Sequence, residues 1–311
     1  MLKIVFISGV KFGYGLLEHI LEKNWKISAI ISYAPELKKN YSDYADFDLL
    51  GEKYNVINKK VKKINDTENI EFLKKLNPDL ILVMGWSQLL NNDIIKIPKI
   101  GIVGSHPTEL PKFRGRSPIP WTIIKGLKNS ALTFFYIEEG VDNGDIVDQQ
   151  TFEVQNYDDA TSLYEKITKL GKNMLEKNLL LLEKGMVIRK KQNEEEFIEN
   201  WSKRNPSDGE INWQSSAKEI NTLIRATTYP YPGAFTFFKN KKIIVWKSSF
   251  QESSNSESGK IISLNNGIPT IGTSKGILSL DMITVDNARN ESSKNIFSLY
   301  DIGMRIGDNE I

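Results

Sequence analysis

Two histidines and no cysteine occur in 311 residues. Imidazole is the side chain that takes up and releases protons near neutral pH, so chemistry of that kind rests on His19 or His106. His19 lies in Leu16-Leu17-Glu18-His19-Ile20, an outward position on an amphipathic helical pattern, and reads as a surface residue. His106 is placed differently. It follows an apolar run at 100–103 and sits in the break Gly104-Ser105-His106-Pro107, where no regular strand or helix continues. A basic loop bounded by prolines comes next, with Pro111, Lys112, Arg114, Arg116, Pro118 and Pro120. A buried strand thus brings one imidazole to a sheet edge and hands the chain to a cationic loop suited to phosphate or carboxylate.

The elements that must hold this imidazole follow from the hydrophobic pattern. Residues 3–8 form a β-branched run, helical spacing follows at 16–21, and 27–32 is a second strand. Residues 71–76 belong to another helix, and Asn77-Pro78-Asp79 turns into the apolar run 80–84, which stops at Gly85. Continuous apolar runs alternating with helices indicate an α/β fold with a parallel sheet covered on both faces. Ligands of such sheets bind beyond the carboxyl ends of the strands, where Met84-Gly85-Trp86 and Gly104-Ser105-His106 both fall. Gly9, Gly13 and Gly15 lack the G-x-G-x-x-G order of a dinucleotide loop and read as turn and helix-start residues. Residues 130–139 and 146–154 are strands around Gly140-Val141-Asp142-Asn143-Gly144-Asp145, a hairpin signal; the ligand alternation of an EF-hand is missing. A long helix is expected from Asp159 towards Lys184, capped by Asp159 or Thr161 and stopped at Gly185.

The chain divides into a domain at 1–188, a polar linker at 189–205 and a second domain at 206–311. In the second, a helix at 215–225 precedes short strands separated by Gly, Asn and Ser clusters, as expected of a small β-barrel. From residue 201 onward there are 13 Lys+Arg against 11 Asp+Glu, and the net charge of the whole chain is +2. Neither figure indicates a dedicated nucleic-acid binder. The missing cysteines exclude disulfides, thiolate metal sites and a cysteine nucleophile, and they fit a reducing compartment. No 18-residue apolar run and no signal-peptide core is seen, so a cytoplasmic chain without a membrane span is expected.

These residues resemble the folate-dependent formyltransferases, a family that includes glycinamide ribonucleotide and methionyl-tRNA formyltransferases and the enzymes that formylate amines of nucleotide-linked sugars. The family motif is Asn-x-His, then L-P-x-x-R-G-x-x-P, then an Asp in a D-x-G turn. Here His106, Leu110-Pro111-Lys112-Phe113-Arg114-Gly115-Arg116-Ser117-Pro118 and Asp142-Asn143-Gly144 match in order and spacing. Asn205 to Trp213, Leu223-Ile224-Arg225-Ala226 and Tyr231-Pro232-Gly233-Ala234-Phe235 resemble the C-terminal domain of the same enzymes. The resemblance implies a Rossmann-like, mostly parallel sheet in the N-terminal domain and an OB-like β-barrel in the C-terminal one.

Within the family, residues 112–121, Asp208-Gly209 and Tyr231-Pro232-Gly233 look most like the sugar enzymes. The resemblance then implies a nucleotide-linked amino sugar as acceptor, N10-formyltetrahydrofolate as donor and no metal. It also implies a place in O-antigen or surface-polysaccharide biosynthesis and a homodimer as the assembly. Initiator methionyl-tRNA is the second acceptor considered. The implied roles are acid–base catalysis for His106 with Asp142, and contacts to the pterin from Gln88, Leu89, Leu90, Glu138, Glu139, Gly140 and Val141. Arg116 matches a folate-contacting arginine, while Arg114, Lys112 and Trp86 are candidates for the acceptor. One departure stands out. The family Asn, whose amide donates to the developing oxyanion, falls at Gly104. Backbone amides of Gly104 or Ser105, the Ser105 hydroxyl or Gln88 are the candidate replacements; a formylfolate hydrolase or a non-catalytic folate binder is the alternative.

Overall fold

The computed structural model describes residues 2–252, 256–285 and 296–307. β1 (Ile4–Ile7), buried at every position, leads into α1 (Lys11–Glu22), β2 (Ile27–Tyr33), α2 (Asp48–Tyr54), β3 (Asn58–Val61), α3 (Thr67–Leu76), β4 (Leu80–Val83), the short α4 (Asn92–Ile95) and β5 (Gly101–His106). β6 (Phe113–Gly115) and α5 (Pro118–Ile124) precede β7 (Asn129–Tyr136) and β8 (Ile146–Glu153). The main sheet has the order β3-β2-β1-β4-β5-β7-β8, parallel through β5 and antiparallel in the last two pairings. Its central strands are apolar at consecutive positions because both faces are covered. One face packs Val5, Ile7, Ile81, Val83 and Ile102 against Ile70 and Leu73 of α3 and Ile94 of α4. Each fully buried Ile, Leu or Val there contributes about 1.5–3 kcal/mol relative to exposure.

α1 buries Phe12, Leu16, Leu17, Ile20 and Leu21, the recurring apolar face of an amphipathic helix. Amides in its first turn are already taken: Lys11 N–H donates to the Asp43 carbonyl and Phe12 N–H to the Tyr164 hydroxyl, both at 2.8 Å. No helix N-terminus is left open there for a dinucleotide pyrophosphate. α6 (Ala160–Glu183) is capped by Asp159, whose carboxylate accepts from Ser162 N–H at 2.9 Å, and the chain leaves it through Gly185 at φ 74.

The chain forms two compact units. The first comprises residues up to Pro118, Lys128–Val154 and Tyr164–Lys203; the second comprises Ile119–Leu127, Gln155–Leu163 and the chain from Arg204 onward. Residues 189–203, expected as a linker, are hydrogen-bonded to the first unit. β9 (Glu199–Trp201) pairs in parallel with β6, and Lys190 bridges Ile146. In the second unit, α7 (Ala217–Thr227) starts at a capping box formed by Ser216 and Glu219. β10 (Ala234–Phe238), β11 (Lys241–Gln251), β12 (Ile261–Asn265), β13 (Ile268–Gly272) and β14 (Ile277–Val285) make an antiparallel sheet of order β10-β11-β14-β13-β12. Register shifts in β11 and β12 bend this sheet around Ile220 and Ile224 of α7. Among the described residues no helix is long and apolar enough to cross a membrane, and no three metal-ligating side chains come together.

Candidate active site

β5 runs two residues beyond its last pairing with β4, at Val83 and Gly104, and ends at His106. β7 continues beside it, with Phe135 opposite Gly104 and Thr133 opposite His106. Side chains alternate along a strand, so Gly104 and His106 share one face and Ser105 turns to the other. His106 is only 5% exposed. Its Nε2 donates to the Phe113 carbonyl at 3.0 Å, which places the lone pair of the neutral ring on Nδ1. That carbonyl is itself fixed. The Thr108 hydroxyl donates to it at 2.5 Å, the Thr133 hydroxyl donates to the Thr108 carbonyl at 2.6 Å, and the Gln149 amide donates to the Leu110 carbonyl at 2.9 Å. The loop after β5 therefore holds the ring by its backbone.

Nine residues, 137–145, join β7 to β8. The turn passes through Asp142 at φ 52, a left-handed conformation that Asp tolerates better than most residues. At Gly144 a Cβ would lie 1.8 Å from the Tyr136 carbonyl oxygen, so glycine is required by that close approach. Asp142 Oδ2 accepts from Gly115 N–H at 3.0 Å and lies 3.6 Å from His106 Nδ1. The latter distance is too long for a direct hydrogen bond; a polar atom to one side can contact both groups.

The remaining candidate residues fall into two groups. Glu138, Glu139, Gly140 and Val141 form the exposed outer part of the turn, and the Asn92 amide stands 3.4 Å from the Glu139 carboxylate, which brings the turn beside the segment following β4. In that segment Leu89 is 67% exposed, Leu90 packs on the core, and Trp86 stacks on Tyr33 with centroids 3.9 Å apart. The Trp86 indole nitrogen is buried without a partner. Tyr33, sealed between Trp86 and Tyr41, has its hydroxyl pKa driven up by burial. The cations separate. Lys112 pairs with Glu109 at 2.7 Å, and Arg116 is exposed. Arg114 is nearly buried, with its guanidinium turned to Gln192 Oε1 and to both carboxylate oxygens of Glu194. The guanidinium holds the Glu194 carboxyl below the ordinary carboxylate range, so the pair is ionised at neutral pH.

Residues 2–179 match the family described as formyl transferase, and residues 203–300 match the formyl transferase C-terminal domain. The chain belongs to the formyltransferase family. It is 32% identical over 268 residues to the bifunctional polymyxin resistance protein ArnA of Wigglesworthia glossinidia brevipalpis, covering 85% of this chain and 40% of ArnA. To methionyl-tRNA formyltransferase of Clostridioides difficile it is 31% identical over 292 residues, 93% of this chain and 94% of that enzyme. Among solved structures, the N-formyltransferase of Helicobacter canadensis in complex with folinic acid and dTDP-3-aminofucose superposes with a TM-score of 0.65 at 18% identity, over 90% of this chain and 99% of that one. At that identity the likeness speaks for the fold alone.

In this formyltransferase the candidate substitutes for the family Asn are paired or turned elsewhere. Gly104 is paired inside the sheet between Val83 and Phe135, and Ser105 faces away from His106. Gln88 accepts from Ile64 N–H and donates to the Lys62 carbonyl, both at 2.9 Å. A side chain at 104 would meet Ile137: a Cβ there lies 2.9 Å from both Ile137 Cγ1 and Cδ1. The structure also adds residues that the motifs pass over. Thr108, Thr133 and Gln149 fix the loop, the Phe113 carbonyl fixes the ring, and Gln192, Glu194 and Trp201 come from residues 189–203. A backbone carbonyl has no sequence signature, and Gln192 sits in a stretch whose composition reads as solvated linker.

Proposed function

We propose that the protein transfers the formyl group of N10-formyltetrahydrofolate to the amine of a dTDP- or UDP-linked 4-amino-deoxy sugar, in a cytoplasmic setting. The charge balance of the C-terminal part carries the choice of acceptor. With 13 Lys+Arg against 11 Asp+Glu from residue 201, it lacks the excess of cations through which proteins gain most of their affinity for polynucleotides. The resemblance of residues 112–121 to the sugar enzymes supports the same choice.

His106 Nδ1 is the base of the neutral ring and takes the proton of the attacking amine; Asp142, 3.6 Å away, stabilises the imidazolium that results. The imidazolium then returns the proton to the departing folate nitrogen. With no side-chain amide at 104, Ser105 on the other face of β5 and Gln88 engaged, the imidazolium is the donor left for the developing formyl oxyanion. The exposed turn at 138–141, Leu89 and Leu90 would border the pterin, and Arg116 would meet an anionic group of donor or acceptor. Trp86, half-buried on Tyr33, would flank the acceptor.

A second reading, methionyl-tRNA as acceptor, is favoured by the full-length identity to the C. difficile enzyme. Incubating the protein with N10-formyltetrahydrofolate and, separately, dTDP- and UDP-amino sugars or charged initiator tRNA, while following tetrahydrofolate release, decides between them. The expected result is release that depends on an amino sugar and falls ~10²–10⁴-fold in His106→Ala. Faster turnover with methionyl-tRNA overturns the sugar reading. Release without any amine identifies a hydrolase.

A further inference from the structure

We infer that Gln192, in the segment that follows α6, is the positioning residue that sets Asp142 against His106. The inference rests on formyl transfer at His106 and Asp142 and is independent of which amine is the acceptor.

Within the turn that carries Asp142, the Asn143 amide donates to the Glu139 carbonyl at 3.0 Å and Glu138 pairs with Arg189 at 3.2 Å, but neither contact is made by Asp142. Residues 138–141 and Asn143 are exposed, and Asp142 itself is in a left-handed conformation. Gln192 supplies the anchor. Its Nε2 donates to the Asp142 carbonyl and to the Gly144 carbonyl, both at 2.8 Å, so the two amide hydrogens clamp the backbone on either side of Asn143. Its Oε1 accepts from Nε and Nη2 of Arg114 at 3.2 and 2.7 Å. Arg114 lies between the two backbone groups that hold the reacting pair: the Phe113 carbonyl on His106 Nε2, and the Gly115 amide on Asp142 Oδ2. A closed circuit therefore runs through Arg114, Gln192, Asp142 and Gly115, and His106 is attached to it through the Phe113 carbonyl.

The same segment fixes the rest of the circuit. Trp201 stacks on Phe113 with centroids 4.7 Å apart, Arg116 N–H donates to the Trp201 carbonyl at 2.9 Å, and Ile198 N–H donates to the Lys112 carbonyl at 3.0 Å. A Cβ on Gly115, at φ 106, would lie 2.3 Å from the Trp201 carbonyl oxygen, so the two strands meet as closely as their backbones permit. Only a carboxamide meets the requirements at 192, because two carbonyls need donors and the guanidinium needs an acceptor. Glutamate keeps the acceptor and loses both donors. Methionine loses all of them at similar length and no charge. Since displacement of a reacting group by about 1 Å costs on the order of 10²-fold in rate, the clamp acts through distance.

The test is a double-mutant cycle in the whole two-unit chain, with the histidine ring NMR signals as a readout that needs no turnover. Gln192→Glu and Gln192→Met are each expected to lower kcat ~10–100-fold with KM within about 3-fold, and to have no further effect in an Asp142→Asn background. Lys191→Ala, an exposed neighbour, is the control and is expected to match wild type. With only two histidines, ring signals are assigned by comparison with His19→Gln, and Gln192→Met is expected to move the His106 ring ¹⁵N signals in the direction that Asp142→Asn does, because both withdraw the carboxylate from Nδ1. Unchanged kcat, the same fold-loss with and without Asp142, or wild-type His106 ring signals in Gln192→Met overturns the inference. Should Gln192→Met not fold, the cycle with Gln192→Glu decides. A protein inactive with every acceptor whose His106 ring signals still move as stated refutes the transfer reading and leaves the role of Gln192 standing.

Discussion

Position 104 shows how one residue type shapes a site through its neighbour. The family carries a side-chain amide there, whereas here Ile137 reaches towards Gly104, so that an added Cβ would stand 2.9 Å from two of its carbons. An asparagine alone would have to push Ile137 aside. Gly104→Asn by itself is therefore expected to gain little, whereas Gly104→Asn with Ile137→Ala is expected to raise kcat ~10–100-fold, within the range that an oxyanion donor supplies. Steady-state kinetics on the two variants checks this. A double variant no faster than wild type means that the imidazolium already provides all the stabilisation the reaction uses.

Among the elements, β9 is the one whose contribution a three-residue strand would not suggest. Trp201 is 4% exposed and lies flat on Phe113, the residue whose carbonyl holds the His106 ring. Trp201→Ala is expected to destabilise the first unit by about 3–5 kcal/mol, the usual cost of emptying a buried aromatic site. A lowered denaturant midpoint at unchanged m-value would show it. The hairpin of β7 and β8 was legible from its apolar strands and its Asp-Asn-Gly turn, although the connection is a nine-residue loop rather than a tight turn. The pairing of β6 with β9 was not legible. Its strands are three residues each and 86 positions apart at Phe113 and Glu199, and neither shows a period long enough to announce a partner.

For the whole molecule, the near balance of charge bears on the partner more than on the fold. With a nucleotide sugar as acceptor, kcat/KM is expected to fall less than about 10-fold between 50 and 200 mM salt, because few phosphates are engaged. A protein making several phosphate contacts to a polynucleotide loses ~10³–10⁵ in affinity over the same range. Measuring kcat/KM against ionic strength with the accepted substrate distinguishes the two regimes, and a steep slope would speak for tRNA.

Sequence alone determined the parallel sheet, the placing of His106 at a strand end, the cationic loop, the Asp142 turn and the likeness to formyltransferases. Those features are written in local periods, in glycine and proline positions and in fixed spacings along the chain. Tertiary structure decided what holds His106 and Asp142. That Arg114 braces Gln192 and Glu194, that Gln88 is tied to Lys62 and Ile64, and that Ile137 occupies the space beside Gly104 depend on contacts between distant segments. Spacing can bring a histidine and an aspartate to the same end of a sheet. The final separation between them is set by backbone carbonyls and by a glutamine from a stretch that, read alone, is only polar.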